Sequence, residues 1–254
     1  MTAYRNLLAK LRAFADSQPR ISGLLAFVRR RPIISVLLVL VLLYGLNVAR
    51  FLIFPQVADL TAENPTMTAF MEYRQEQWAE AGKDVKVKWT WVNYNKISEN
   101  LKRAVIVGED TDFWRHQGFD FKGIREAFTT NLSQKRLSAG GSTITQQLAK
   151  NLYLSPDKSI TRKLQEAIIA WRLERNLEKE RILEIYLNVV EWGEGIYGAE
   201  AAARHYFGVS AAKLSKRQAS TLAAMLPGPL VRTPKTKHVQ LVAAVIMRRM
   251  SMWW

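Results

Sequence analysis

The sequence contains no cysteine and only three histidines among its 254 residues. Without cysteine the chain forms no disulfides and no thiolate metal sites, and cysteine nucleophiles are excluded. The histidines, His116, His205 and His238, are too far apart in the chain to give the ligand spacing of zinc sites. We therefore expect no dedicated metal site built from these side chains.

Acidic residues are also few relative to basic ones, with 22 aspartates and glutamates against 37 lysines and arginines, for a formal net charge of +15. An excess of this size favours polyanionic partners, namely nucleic acid, anionic lipid headgroups or phosphorylated substrates. The sequence has no internal repeat, low-complexity tract or proline-rich linker. The chain is long enough for a membrane anchor and one domain of about 150–200 residues with its own core.

One long apolar stretch is present. Residues 32–49 carry no charge, and they are followed by Arg50 and the apolar residues 51–54. A bilayer core is spanned by about 20 apolar residues in a helix, and a flanking arginine can reach the interface. We therefore predict a transmembrane helix over 32–54, a basic tail over 1–31 and a catalytic or binding domain over 55–254.

The charges that precede this stretch set its orientation. The tail ends in Arg29, Arg30 and Arg31 and contains a single acid, Asp16. Because positive charge stays cytoplasmic, we expect a cytoplasmic N-terminus, an extracytoplasmic domain and a location in the bacterial inner membrane. A cleaved signal peptide is the alternative, but its charged region would be unusually long. This orientation removes nucleic acid as the natural partner and leaves phospholipid headgroups and lipid diphosphates.

Two structures are open for the tail. Short amphipathic patches, such as Leu7 and Leu8 with Leu11 and Phe14, are compatible with a helix lying on the inner leaflet. A flexible basic tail accounts for the same residues equally well.

The domain is predicted to be mostly α-helical. Residues 85–92 alternate apolar and polar side chains, which indicates a short strand or hairpin edge. Beyond Ile97 the spacing is helical, and the predicted helices cover 97–108, 122–134, 143–152, 159–177, 179–190, 199–206, 215–226 and 236–250. Ser142 and Ser159 are predicted to be N-caps.

The first segment with chemical potential is 108–120, where an apolar helix runs into two acids, then aromatics, a histidine and a further acid. Glu109 stands at the end of that helix. Apolar surroundings raise the pKa of a carboxyl group and suit it to general-base catalysis. A capped helix end with solvated acids explains the same pattern, and the residues alone do not decide between them.

The second segment is 139–151, in which two glycines precede a Ser/Thr cluster and a helix start. Glycines allow the backbone to approach a ligand, and a helix N-terminus favours an anion. Gln147, Lys150 and Asn151 follow at helical spacing. An N-capped structural helix does not require this set of polar residues, so a binding site is indicated.

Two further segments are weaker taken alone. Arg162 and Lys163 lie four and three residues before Glu166, so the three share one helix face. An ordinary surface ion pair explains that arrangement. Residues 181–188 form an amphipathic pattern that core packing and a capping asparagine explain.

In this order the four segments resemble the glycosyltransferase domain of peptidoglycan polymerases, the lysozyme-like transglycosylase family found in bifunctional penicillin-binding proteins and in monofunctional enzymes. The motifs are Glu109, Asp110, Phe113, His116, Gly118 and Asp120; 140–147 with Lys150 and Asn151; Arg162, Lys163 and Glu166; 182–188; and 206–208. The resemblance covers roughly residues 60–235. One departure is Gln218, where the family usually has glutamate.

The resemblance implies an enzyme that polymerises lipid II into β-1,4-linked glycan strands, inverts the donor anomeric carbon and releases undecaprenyl diphosphate. Glu109 is then the expected general base. Lys163 is expected to balance the charge of the leaving group, with support from Arg162 and Lys150. The role of Glu166 stays open between an acid, an orienting group and a structural group.

The remaining site residues also follow from the resemblance. Substrate contacts are expected from Asp110, Phe113, Ser142, Thr143, Gln147 and Asn151. His116 and Asp120 are expected mainly to hold the first motif. A divalent ion, Mg²⁺ or Mn²⁺, is expected to bind through the substrate diphosphate. Cell-division proteins and penicillin-binding proteins are candidate partners.

Three other interpretations account for parts of this pattern. A hydrolytic muramidase shares the helices and a glutamate, but needs neither the anchor nor Lys163 beside Glu166. A bifunctional penicillin-binding protein is not expected at this length, because Ser155 and Lys158 match the Ser-x-x-Lys spacing but no Lys-Thr-Gly follows. A catalytically inactive scaffold of a division complex is disfavoured by the intact glutamates.

Overall fold

A computed structural model of the chain describes residues 19–121, 123, 125 and 141–253. The chain divides into two compact units, with the division between Arg50 and Phe51. The predicted helix over 122–134, the amphipathic patches before residue 19 and Gly140 lie largely or wholly outside the described residues.

The first unit contains two helices, α1 (Pro19–Arg30) and α2 (Pro32–Ala49). Proline at the first position of α2 suits a helix start, because its missing N–H has no partner there in any case. With the following 3₁₀ turn, α2 forms a helix over Pro32–Leu52 that is long and apolar enough to cross a membrane. This helix fits the predicted single-pass anchor. Within the predicted tail, α1 is helical over Pro19–Arg30.

The second unit is mostly helical, as predicted. Its helices are α3 (Ala69–Glu80), α4 (Glu99–Glu109), α5 (Ile144–Tyr153), α6 (Ile160–Asn176), α7 (Lys179–Val189), α8 (Ala199–Phe207), α9 (Lys216–Met225) and α10 (Lys237–Trp253). Its strands are β1 (Lys88–Trp89), β2 (Glu191–Gly193) and β3 (Ile196–Tyr197). The sequence predicted α4 to α10 within one to three residues at each end, whereas it missed α3 and the pair β2 and β3.

A group of three helices supports α4. Leu101, Ala104 and Val105 are completely buried, at the spacing of a helical stripe. They face α9 and α10, which also pack on each other. Gly108 lies against α10, because a Cβ atom built there would be 3.2 Å from Cδ1 of Ile246. The C-terminal helix therefore packs directly beside the residue that precedes Glu109.

A second group consists of α5, α6 and α7, which pack against one another. The N-cap of α5 is Thr143, whose hydroxyl accepts from the backbone N–H of Gln146 while the Gln146 side chain accepts from the N–H of Thr143. The prediction of Ser142 as the cap was therefore wrong by one residue. The prediction of Ser159 is confirmed, because its hydroxyl accepts from the N–H of Arg162 at 3.1 Å.

The three strands form one small sheet in the order β1-β3-β2, with β1 parallel and β2 antiparallel to β3. Asn188 at the end of α7 fixes the segment after β1: its Oδ1 accepts from the N–H of Val92, and its Nδ2 donates to the carbonyl of Val92. This asparagine therefore ties two elements together, whereas the sequence indicated only a helix cap.

Candidate active site

Glu109 is the last residue of α4, and its side chain is partly buried. Burial raises the pKa of its carboxyl group above the usual value, and the neighbouring charge of Asp110 acts in the same direction. A hydrogen bond from Gln147 and the positive charges of Arg232 and Lys150 oppose this increase. The net effect is a pKa above the usual value, which makes the Glu109 carboxylate more basic than an exposed one.

A chain of hydrogen bonds leads from Glu109 into the core. Nε2 of Gln147 donates to Oε2 of Glu109 at 2.8 Å. Oε1 of the same amide accepts from the Tyr186 hydroxyl at 2.9 Å. Tyr186 is completely buried on α7. Gln147 of the second sequence motif therefore contacts Glu109 of the first motif directly, and Tyr186 of the fourth motif holds Gln147 through a hydrogen bond.

Asp110 joins the first motif to the N-terminus of α5. Its Oδ1 lies 2.8 Å from Nε2 of His116, and its Oδ2 accepts from the backbone N–H of Ile144 at 2.8 Å. A carboxylate at a helix N-terminus is stabilised by the helix dipole. In this structure Asp110 occupies the N–H of Ile144 at the start of α5, so the binding of a ligand anion at this helix N-terminus stays a prediction.

The loop that follows Glu109 is held by the same region. The Thr143 hydroxyl donates to the carbonyl of Gly118 at 2.7 Å. Phe113 is completely buried, and the ammonium group of Lys179 lies 4.5 Å from its ring centroid. Thr143, Phe113 and Asp110 thus contact protein groups in this structure, which gives them a positioning role. A direct contact of these three with substrate stays a prediction.

The third motif forms a second cluster on α6. Glu166 is 3% exposed and shares the buried face of α6 with Ile169, Ala170 and Leu173. Its two oxygens accept separately from Arg162 and Lys163. This burial distinguishes the cluster from the surface ion pair that the sequence allowed.

Lys163 also extends across to the second motif, where its Nζ donates to the Ser142 hydroxyl at 2.9 Å. Its side chain is 46% exposed, against 4% for Glu166. Lys163 therefore exposes its positive charge to solvent while it is held by the buried carboxyl group of Glu166.

Lys150 on α5 is electrostatically coupled to both clusters. Burial lowers the pKa of its ammonium group, as do Arg162 and Lys163, whereas Glu166 and Glu109 raise it. The two predicted carboxylates thus act on one common cation. The structure brings together Glu109, Gln147 and Lys150 on one side and Ser142, Arg162, Lys163 and Glu166 on the other. Asn151 is buried one residue beyond Lys150.

Two residues of this site were not found from the sequence. Tyr186 was assigned to core packing, although a buried hydroxyl on an apolar helix face usually has a specific partner. Arg232 lies in the segment after α9 and donates to the carbonyl of Ala224 at 3.2 Å. Its charge acts on Glu109. A lone arginine in a loop carries no pattern that would have indicated this.

Among the described residues, no group of three or more His, Asp or Glu side chains is placed to hold a metal ion. The carboxylates of the site already have partners, Gln147 for Glu109 and two cations for Glu166. The groups that remain around Lys150 are cationic and suit an anion. In the part of the chain that the structure describes, the side chains of the site therefore do not form a cage for a divalent ion.

The chain is similar to known proteins over most of its length. A family model described as Transglycosylase matches residues 75–251. The biosynthetic peptidoglycan transglycosylase of Nitrosospira multiformis is 52% identical over 182 residues, covering 72% of this chain and 79% of that protein. Proteins of the same name from Laribacter hongkongensis and Nitrosomonas eutropha are 49% and 54% identical over 196 and 166 residues, covering 77% and 65% of this chain and 84% and 68% of their own lengths. The chain belongs to the transglycosylase family and is a glycosyltransferase.

Proposed function

We propose that this protein polymerises lipid II into β-1,4-linked glycan strands of peptidoglycan. The observation that carries the proposal is the pairing of a partly buried carboxyl group, Glu109, with a separate cationic cluster that includes Lys150 and Lys163. A glycosyl transfer from a diphosphate needs one group that accepts a proton and others that stabilise a polyanionic leaving group.

In the proposed reaction, Glu109 takes the proton from the 4-hydroxyl of the acceptor N-acetylglucosamine. The hydroxyl oxygen forms a bond to the anomeric carbon of the donor N-acetylmuramic acid while the bond from that carbon to the diphosphate breaks. Attack from the face opposite the leaving group inverts the anomeric centre from α to β. The elevated pKa of Glu109 supports this role, since a more basic carboxylate accepts a proton more readily.

The electron pair of the broken bond leaves with undecaprenyl diphosphate. Arg162, Lys163 and Lys150 are proposed to stabilise its negative charge through charge-assisted hydrogen bonds. Glu166 is proposed to orient two of these cations, because each of its oxygens already accepts from one of them. This occupancy favours an orienting role over proton transfer. Ser142, Gln147 and Asn151 are proposed to contact the donor.

A divalent ion, Mg²⁺ or Mn²⁺, is proposed to bind through the phosphate oxygens of the substrate, because the protein offers no cage of its own in the part that the structure describes. No step above depends on it. We also propose that α2 anchors the protein in the inner membrane with its N-terminus in the cytoplasm, on the basis of Arg29, Arg30 and Arg31 directly before it. Division proteins and penicillin-binding proteins stay predicted partners.

The proposal is tested with purified full-length protein in detergent and labelled lipid II, with and without a divalent ion. Glycan strands are expected from the wild-type protein and not from Glu109→Gln. Lys158→Ala is a suitable control, because Lys158 is exposed and near the cluster in sequence. Digestion of existing glycan strands without any polymer formed from lipid II would instead identify a muramidase.

A further inference from the structure

Among the described residues, the hydroxyl group of Tyr186 has one hydrogen-bond partner, and that partner is the Gln147 amide, which also contacts Glu109. Tyr186 projects from α7, a helix that the proposed reaction does not otherwise use. Its ring is completely buried. A buried phenol on an apolar helix face could be replaced by phenylalanine at little structural loss unless its hydroxyl acts on something.

We propose that Tyr186 is a positioning residue for the general base: its hydroxyl fixes the Gln147 amide so that the N–H group, and not the carbonyl oxygen, faces Glu109. This inference rests on the proposed function. A glutamine side chain can present either end to a neighbour. When Oε1 accepts from Tyr186, Nε2 is the end left to donate to the carboxylate, which stabilises the ionised and reactive form.

The Tyr186 hydroxyl is the donor in its hydrogen bond with Gln147. Burial raises the pKa of the Tyr186 phenol well above 10, and the charges of Glu109 and Asp110 raise it further. The phenol therefore stays protonated and keeps a hydrogen to donate. Its bond to Oε1 also polarises the amide, which strengthens the N–H donor at the other end.

The other groups that act on Glu109 come from three directions. Asp110 follows it in the chain and disfavours its ionised form, whereas Lys150 on α5 and Arg232 after α9 favour it. The contact beside it from α10 is apolar, through Ile246 on Gly108. Among the described residues, none of these groups is hydrogen-bonded to the Gln147 side chain. Tyr186 is thus the group that sets the orientation of this amide.

The test is the pH profile of lipid II polymerisation by the full-length protein. The rate rises with pH as Glu109 ionises. In Tyr186→Phe we expect this rise to move to higher pH by about half to one unit, the size expected for one lost supporting hydrogen bond. The rate on the plateau above it should stay within about threefold of the wild-type rate. An unshifted rise, or a uniform loss of rate at every pH, overturns the proposal.

Tyr197→Phe is the matched control. Tyr197 is also completely buried, and the neighbours of its hydroxyl are Glu191 and Arg74, with no contribution from Glu109. Its substitution should leave the rise in place. A shift of equal size in this variant would show that any buried tyrosine has the effect, and would overturn the specific role of Tyr186.

A double-mutant cycle with Gln147→Leu separates the relay from a direct effect. If Tyr186 acts through the amide, adding Tyr186→Phe to Gln147→Leu should produce no further shift. Additive shifts contradict the relay.

A second readout does not require turnover. The stability difference between Glu109→Gln and its parent, followed against pH by thermal unfolding, reports the ionisation of Glu109. We expect this profile to move to higher pH when Tyr186→Phe is present. If the wild-type protein makes no polymer but Tyr186→Phe still moves the stability profile, the proposed function is wrong and the positioning role of Tyr186 stands. If the profile does not move, the positioning role of Tyr186 is wrong.

Discussion

The carboxylate of Asp110 accepts a hydrogen bond from the backbone N–H of Ile144 at a distance of 2.8 Å. The two residues are 34 positions apart in the chain. One end of Asp110 also contacts His116, so this carboxylate holds the loop after Glu109 against the first turn of α5. Glu109 and its partner Gln147 lie on the two elements joined in this way.

Removing this carboxylate should affect stability and activity together. In Asp110→Ala, the N–H of Ile144 loses its partner and α5 loses a negative charge at its N-terminus. We expect the free energy of unfolding to fall by about 1–3 kcal/mol, the range for a buried group left unpaired. Urea unfolding of the full-length protein in detergent and polymerisation of lipid II would measure the two effects.

Asp112→Ala provides the comparison for that substitution. Asp112 pairs with Arg115, whose side chain is 77% exposed. Such surface pairs contribute little, so the change should stay within about 0.5 kcal/mol. Equal losses in the two variants would contradict the bridging role of Asp110.

Substitution of Glu109 should reduce activity without reducing stability. In Glu109→Gln, polymerisation should fall by about 10²–10⁴-fold, the usual contribution of a general base. The pKa of Glu109 is raised in the folded protein, so its ionisation is less favourable there than in the unfolded chain. The variant should therefore be as stable as the wild type at acidic pH and more stable above it.

This stability difference has a defined pH window. It should be absent below the unfolded value of 4.5, grow as pH rises through the raised folded value and then stay constant. Glu76→Gln, at an exposed position of α3, should show no such window. A wild-type protein that gains stability relative to Glu109→Gln as pH increases would contradict the burial argument.

The third prediction concerns the leaving group. Lys163→Ala should reduce the rate by about 10²–10³-fold, as expected when one group that stabilises developing charge is lost. Lys163→Arg should recover part of this rate, because the positive charge is kept while the contact with Ser142 changes. If the loss lies in substrate affinity alone, with the maximal rate unchanged, stabilisation of the leaving group is the wrong explanation.

The fourth prediction concerns α10. In Gly108→Ala the new Cβ atom would lie 3.2 Å from Cδ1 of Ile246, which is close enough that the Ile246 side chain or the end of α4 that carries Glu109 must shift slightly. We expect reduced activity with little change in fold, measured by circular dichroism and polymerisation.

Combining Gly108→Ala with Ile246→Val should restore activity, because valine lacks the Cδ1 atom that lies close to the new Cβ atom. The single Ile246→Val substitution should lower the free energy of unfolding by about 0.5–1.5 kcal/mol. Purely additive effects of the two substitutions would show that the contact does not position Glu109.

The helical part of the fold could be predicted because most of its helices carry a clear apolar stripe, such as Leu101, Ala104 and Val105 in α4. Helix α3 was missed because its apolar residues form no such stripe, and in it Met71 and Trp78 alone are buried. The strands β2 and β3 are two or three residues long and buried throughout, so alternation gives no signal.

The candidate site could also be predicted only in part. Glu109 and Glu166 could be selected from the sequence because they belong to recognisable motifs. Their contacts could not, since the bonds from Gln147 to Glu109 and from Tyr186 to Gln147 span 38 and 39 residues. Local spacing does not report separations of that kind.

The position of Asp110 also limits how the diphosphate can be held. Because this side chain and Thr143 take up the N–H groups of Ile144 and Gln146, two of the backbone donors at the start of α5 already have partners in the protein. In the proposed function most of the charge is met by the long side chains of Lys150, Arg162 and Lys163, which can change rotamer as their target moves. A site of this kind should tolerate small displacements of its anion, which suits an enzyme whose product must shift after each addition if it is to be extended again.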